Sequence, residues 1–212
     1  MDWDATWLGI ANNALVRINM PILQTLDEAT NTAMLCTQMI PTVVKNVLGQ
    51  YDWHSARKRV KLAPLRDDPL FGYTHAFQIP PDNVRIIKVE TCLPWTREGN
   101  RIYADEDKLK LVYTAYPATP DALDPLVVDA ITTQLAAQLA VSLTADSTIT
   151  SLLYQEAEQK LQRAKLQEDQ GEPDIKPSLH SWSKEFRIGA GEEMSLADQI
   201  EAYRRALADK GE

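Results

Sequence analysis

The stretch DPLVVDAITTQLAAQLAVSL, residues 124–143, decides the fold class of this chain. Asp124 followed by Pro125 is a typical helix start, because aspartate caps free amides and proline fits the first helical turn. The larger apolar residues then recur at every fourth position: Val127, Ile131, Leu135, Leu139 and Leu143. This spacing predicts a long helix with an apolar stripe that faces a core.

Helical spacing also occurs on both sides of a central region without it. Four segments are predicted as helices: 4–18, 27–50, 124–145 and 149–169. We expect the second to begin at a capping box formed by Thr25 and Glu28, and to kink or divide at Pro41. The helices would pack together as a bundle made of residues 1–53 and 117–170.

Residues 54–116 alternate between apolar and polar side chains, which is typical of strands. The predicted strands and turns lie at 59–62, 73–79, 80–83 (a turn), 84–89, 101–103 and 109–115. The β-branched run 84–89 fits a strand that is buried on both sides or lies at the centre of a sheet. The acidic turn 105–107 predicts that the two strands beside it form a hairpin. The sequence therefore predicts an inserted small antiparallel β-domain of about four strands, in a mainly α member of the α+β class.

The C-terminal residues 171–212 have no helical or strand period over most of their length, and we predict an extended docking arm. A short helix over 194–208 is compatible with its apolar spacing. Aromatic and arginine side chains are common anchors of protein interfaces. The predicted partner-binding residues of the arm are Trp182, Lys184, Phe186, Arg187, Tyr203 and Arg204.

The amino-acid composition is typical of a globular protein and argues against membrane-spanning and disulfide-rich classes. Hydrophobic residues make up 44% and charged residues 25% of the 212 residues, which is typical of a globular chain. No apolar run is long enough to span a membrane, and the acidic N-terminus is unlike a signal peptide. Cys36 and Cys92 are too few for a disulfide framework or a zinc site, so we expect buried free thiols.

Charge argues against a general nucleic-acid-binding surface, because the net charge is −8. The run Arg57-Lys58-Arg59-Val60-Lys61 is the basic cluster of the sequence. It is interpreted as a solvated strand face or a partner contact, with a nucleic-acid patch as the alternative.

The sequence predicts no enzyme. His54, His75 and His180 lie in three separate regions, and none has metal-ligand spacing to a cysteine or carboxylate. No nucleophile elbow, phosphate loop or dinucleotide-binding pattern is present. We therefore predict no catalytic residue, no metal site and no cofactor.

The order of several motifs resembles one known family. The series is Asn13-Ala14-Leu15 with Ile18, then the proline-interrupted helix, YDWHSARKR at 51–59, YTHAFQIPPDNVR at 73–85, YTAYP at 113–117, Asp124-Pro125-Leu126, and Leu143-Thr144-Ala145-Asp146. Over about residues 5–170 this resembles the tail tubular protein A family, the head-to-tail adaptors of short-tailed phages.

The resemblance implies a structural protein of the virion. Members of that family are helical bundles with an inserted β-domain, and they form a dodecameric ring that continues the DNA channel between the portal protein and the tail nozzle protein. DNA would pass without specific binding, no membrane would be involved, and the protein would occupy the neck of the tail after assembly in the host cytoplasm. The alternative function is a nucleic-acid-binding or regulatory module that uses the basic run 57–61.

Overall fold

The chain combines α-helices with antiparallel β-sheets, and the computed structural model describes residues 6–66, 69–91, 93–144 and 146–171. The helices are α1 (Trp7–Arg17), α2 (Asn31–Gln50), α3 (Pro125–Leu143) and α4 (Ser147–Gly171). The strands are β1 (Arg57–Leu62), β2 (His75–Gln78), β3 (Asn83–Glu90), β4 (Trp95–Glu98), β5 (Arg101–Ala104) and β6 (Leu109–Ala115). The mixed α and β composition predicted from the sequence is confirmed.

Side-chain caps fix the starts of three helices. The Asp124 carboxylate accepts a hydrogen bond from the amide of Leu126 at 2.8 Å, so the predicted start of α3 is confirmed. Thr6 and Thr30 cap α1 and α2 with their hydroxyl oxygens. Each cap satisfies an amide that the helix itself leaves free.

The predicted start of α2 is wrong, and so is the alternative that two consecutive helices meet at Pro41. Glu28 accepts the amide hydrogen of Thr25 at 2.9 Å, but the helix begins at Asn31, after the Thr30 cap. Because Glu28 also accepts the amide of Gln24, its carboxylate closes a loop rather than a first helical turn. Pro41 lies inside a helix that continues unbroken from Asn31 to Gln50.

The helical core is centred on α3, which contacts each of the other three helices. Leu135 and Leu139 are fully buried, and the buried free thiol predicted at Cys36 is confirmed. Burial raises the pKa of that thiol. The hydroxyl of Thr132 donates to the carbonyl of Val128 at 2.8 Å, which satisfies a polar group inside this core.

Within the described residues, α3 has the length and composition to cross a membrane, with a mean hydropathy of 1.5. However, 56% of that stretch is buried inside the protein. A core helix packed against three neighbours has the same composition, because its apolar side chains face protein on most sides.

In the described part of the chain six strands form two sheets, so the prediction of one sheet of about four strands is wrong. The first sheet has the order β1-β6-β3, and the second has the order β2-β5-β4, with all pairs antiparallel. Their inner faces share one hydrophobic core. Its buried members are Phe77, Ile79, Val89, Ile102, Ala104, Leu109, Leu111, Tyr113 and Ala115.

Two strand pairings differ from the sequence prediction. β5 pairs with β4 and β2 rather than with β6, so the acidic turn 105–107 connects the two sheets instead of closing a hairpin. The hairpin partner is β4, reached through Gly99 at φ +57, a conformation that glycine adopts without strain. The predicted central strand, β3, lies at an edge, and the centre is β6, of which nearly every residue is buried.

Candidate functional site

The basic run lies on β1, where alternation divides its side chains between the two faces of the first sheet. Lys58 points toward the side of the shared core and pairs with Asp82 at 2.8 Å. Tyr113 donates its hydroxyl hydrogen to the other oxygen of the same carboxylate at 3.0 Å. Lys58 is therefore part of a structural cluster, while Arg57, Arg59 and Lys61 lie on the opposite face.

Strand register adds further cations to that opposite face. Arg57 is opposite Thr114, Arg59 is opposite Val112, and Lys61 is opposite Lys110. On β3, Arg85, Lys88 and Glu90 pair with the same three positions of β6. We call this surface the basic sheet face. It comprises Arg57, Arg59, Lys61, Arg85, Lys88, Glu90, Lys110, Val112 and Thr114.

A β-bulge is what places Arg85 and Lys88 on one face. They are three residues apart, and regular alternation would send them to opposite sides of the sheet. The register shift between Ile86 and Lys88 leaves Ile87 as the extra residue, so both cations face outward. Sequence alternation does not predict the bulge, so the sequence alone indicates only the run 57–61 as a basic cluster.

One end of the basic sheet face is closed and the other is open to solvent. Thr114 is fully buried, and Arg57 forms two hydrogen bonds to Asp52, at 2.8 and 3.2 Å. The five exposed cations of the whole face are Arg59, Lys61, Arg85, Lys88 and Lys110. These five side chains are the cationic groups of the face that solvent reaches most freely.

The exposed cations have little anionic compensation. Lys88 lies 4.0 Å from Glu90. Among the described residues, no carboxylate lies within ion-pair distance of Arg59, Lys61, Arg85 or Lys110; the charged neighbour directly across from Lys61 is Lys110. Like charges in that cross-strand position destabilise a sheet.

The positive charge is a property of the strand region and not of the chain. Residues 54–116 contain eleven Lys and Arg against eight Asp and Glu, whereas the rest of the chain contains eleven against twenty-two. The chain as a whole therefore has a net charge of −8, while residues 54–116 are net positive.

The histidines are not brought together in the described part of the chain. His54 Nδ1 lies 2.9 Å from Glu168, and His75 Nε2 lies 3.7 Å from Asp107, in a different part of the fold. Within that part, no group of three or more His, Cys, Asp or Glu side chains could hold a metal ion. His180 and Cys92 lie outside the described residues.

The predicted docking arm also lies outside the described residues, with its partner-binding set Trp182, Lys184, Phe186, Arg187, Tyr203 and Arg204 and the short helix over 194–208.

An exposed apolar pair lies in the connection between β1 and β2. Leu70 is 97% exposed and Phe71 is 87% exposed, followed by Gly72 at φ +91. Contiguous exposed apolar surface often marks a contact with another molecule. The sequence pattern does not reveal this pair, because two apolar residues in a loop give no periodic signal.

No protein-family model matches the chain, and comparison with curated proteins finds no similar sequence.

Proposed function

We propose that the chain is a structural head-to-tail adaptor of a short-tailed phage. In this proposal it is a helical bundle with an inserted β-domain and a C-terminal docking arm, and twelve copies form a ring between the portal protein and the tail nozzle protein. The ring would belong to the neck of the virion, assembled in the host cytoplasm, and DNA would pass through it without base-specific contacts. The role requires no cofactor.

The exposed pair Leu70 and Phe71 carries the proposal. A side chain of this size stabilises an interface by about 1.5–3 kcal/mol when it becomes fully buried. Keeping both almost fully in water gives the free subunit no such benefit. Burial against a neighbouring copy would explain their position, and an interface between two different surfaces of identical chains produces a closed ring when the rotation closes.

The order of the described elements also supports the proposal. Two of these helices precede the strands in sequence and two follow them. Although the strands separate them in sequence, α3 contacts both α1 and α2. This is the order of elements that the family resemblance implies.

Electron microscopy of the purified chain, alone and mixed with its portal protein, tests the proposal. We expect twelve-fold rings that bind the portal. The double variant Leu70→Ser/Phe71→Ser should remain folded by circular dichroism and lose ring formation. Leu152→Ser/Leu166→Ser, which removes two exposed leucines of α4, is the matched control and should keep the ring.

The arm is tested separately in the full chain. Trp182→Ala/Phe186→Ala should weaken portal binding and leave the subunit folded. A wild-type chain that stays monomeric at all concentrations and does not bind the portal would overturn the adaptor proposal.

A further inference from the structure

We propose that the basic sheet face binds duplex nucleic acid through its phosphate backbone, without reading base sequence. The face is complete in a single chain, so this binding does not depend on ring formation.

The spacing of the cations suits a repeating polyanion. Residues two apart on one strand are about 6.6–6.8 Å apart, and neighbouring strands are about 4.7–4.9 Å apart. Arg59 and Lys61 on β1, Lys110 on β6 and Lys88 on β3 therefore form a close array of charges. Several phosphates of one duplex segment can contact such an array at once, and each contact releases condensed counterions.

The cross-strand pair Lys61 and Lys110 provides a second reason for anion binding. Their mutual repulsion opposes folding in the free protein. A phosphate between the two ammonium groups would remove that repulsion and accept hydrogen bonds from both. The only carboxylate among the nine residues of the face, Glu90, is beside Lys110 and offsets part of the positive charge.

Composition favours nucleic acid over an acidic protein as the partner. Protein interfaces have an apolar centre and are depleted of lysine. Three of the five exposed cations of this face are lysines, and its one large apolar side chain, Val112, is only 8% exposed. Surfaces that bind nucleic acid are polar and strongly positive, so they need no apolar centre.

Duplex is favoured over single-stranded nucleic acid for a related reason. Proteins that bind single strands stack the bases on aromatic side chains. None of the nine residues of the basic sheet face is aromatic. Contacts would then be limited to phosphates, which a duplex presents at higher density.

The negative net charge of the chain does not prevent this binding. Interactions between exposed charges are largely screened beyond about 8 Å at physiological ionic strength. A carboxylate farther from the face than this distance affects a bound phosphate much less than the five cations beside it.

Fluorescence anisotropy with a labelled 20-base-pair duplex of arbitrary sequence, measured between 50 and 300 mM NaCl, tests the proposal on the full chain. If four or five phosphates are contacted, log affinity should fall with log salt at a slope of about −4. The variant Lys61→Gln/Lys88→Gln/Lys110→Gln should bind at least tenfold more weakly at 50 mM NaCl and lose about 3 units of that slope. The matched control Lys45→Gln/Arg101→Gln/Arg163→Gln removes the same charge from exposed positions outside the first sheet and should bind as the wild type does.

The variant Glu90→Gln should bind more tightly than the wild type, because it removes the carboxylate of the face. Equal losses in the two triple variants would overturn the proposal, and so would a wild-type chain that does not bind duplex at 50 mM NaCl. Tighter binding of oligo-dT, or of poly-glutamate at matched charge, would overturn it in favour of a single strand or an acidic protein.

Discussion

Tyr113 and Asp82 join the central strand of the first sheet to the turn that precedes β3. The tyrosine hydroxyl donates to Asp82 Oδ1 at 3.0 Å, and Lys58 Nζ lies 2.8 Å from the other carboxylate oxygen. Burial, and then the hydrogen bond to Asp82, raise the pKa of Tyr113 to about 12. Burial alone would raise the pKa of Asp82, but the hydrogen bonds from Lys58 and Tyr113 outweigh it and lower that pKa.

Replacement of Tyr113 by phenylalanine should lower the free energy of unfolding at pH 7 by about 1.5–3 kcal/mol, the usual contribution of a hydrogen bond to a charged group. The folded pKa is above the unfolded value, so the hydroxyl stabilises fully below pH 10, and this stability is lost as the pH rises toward about 12. The difference between wild type and Tyr113→Phe should therefore shrink between pH 7 and pH 11. Urea unfolding at both pH values measures it, and an unchanged difference would contradict the assigned role.

A charged cluster connects α1 to α3 and α4. Arg17 lies 2.8 Å from Glu156 and 3.2 Å from Asp129, and Lys160 contacts both carboxylates at 3.0 and 2.8 Å. Arg17→Met should lower the free energy of unfolding by only about 0.5–1 kcal/mol, because these side chains are partly exposed and solvent screens their charges. Most of that cost should disappear in 1 M NaCl, as measured by thermal unfolding, whereas the exposed control Lys45→Met should show no such salt dependence.

The same cluster predicts an acid dependence. Hydrogen bonds from Lys160 and Arg17 lower the pKa of Glu156 below its ordinary value of 4.5. The contribution of the Glu156 carboxylate to folding stability is therefore present above pH 4.5 and is lost as the pH falls through the folded pKa. Wild type and Glu156→Gln should differ in stability at neutral pH and converge as the pH falls through the folded pKa, which lies below 4.5. A constant difference across this range would show that the carboxylate charge plays no part.

Leu135 is fully buried in α3 and provides a test of the helical core. Leu135→Asp places a charge where no partner is available, so the variant should be unfolded by circular dichroism. Leu135→Ala should fold with a loss of about 2–5 kcal/mol. Val141→Asp on the same helix is the control, because Val141 is 61% exposed and should tolerate the charge. A folded Leu135→Asp protein would show that the assigned core is wrong.

Replacement of His54, His75 and His180 by glutamine tests the prediction that the chain has no histidine-dependent chemistry. His54 and His75 contact separate carboxylates, Glu168 and Asp107, and Asp107 is 99% exposed. We expect ring formation to be retained, with a small decrease in melting temperature from the lost His54 contact. Abolished assembly in a variant that still folds would contradict this expectation.

The helices were largely predictable because their signals are local. Asp124 and Pro125 start α3, and one helical turn separates its buried residues. The predicted start of α2 was wrong because two nearby residues can both cap backbone amides. Glu28 accepts hydrogen bonds from two loop amides, whereas Thr30 accepts one from the amide of Ala33 and caps the helix. Neighbouring residues with similar capping ability cannot be ranked by pattern alone.

The sheets were less predictable because strand pairing is not local. The hydrophobic pattern of β5 and β6 is compatible with a hairpin, and only the packing of two sheets on one core assigns them to different sheets. The candidate site depends on the same long-range information. The run 57–61 is visible in the sequence, but Lys110 joins it through register and Lys88 through a bulge.

The position of β1 at the edge of its sheet affects how readily copies of the chain associate with one another. An edge strand exposes unpaired backbone groups that can recruit another copy, and lysines on the edge oppose such association. Two of the four cations of β1 are paired with carboxylates, but Arg59 and Lys61 have no ion-pair partner among the described residues, so two copies approaching edge to edge repel each other. A polyanion that neutralises them would remove this repulsion, and light scattering should rise near the equivalence point of such a mixture. The charge that would attract a phosphate backbone is therefore also a charge that opposes edge-to-edge association of β1.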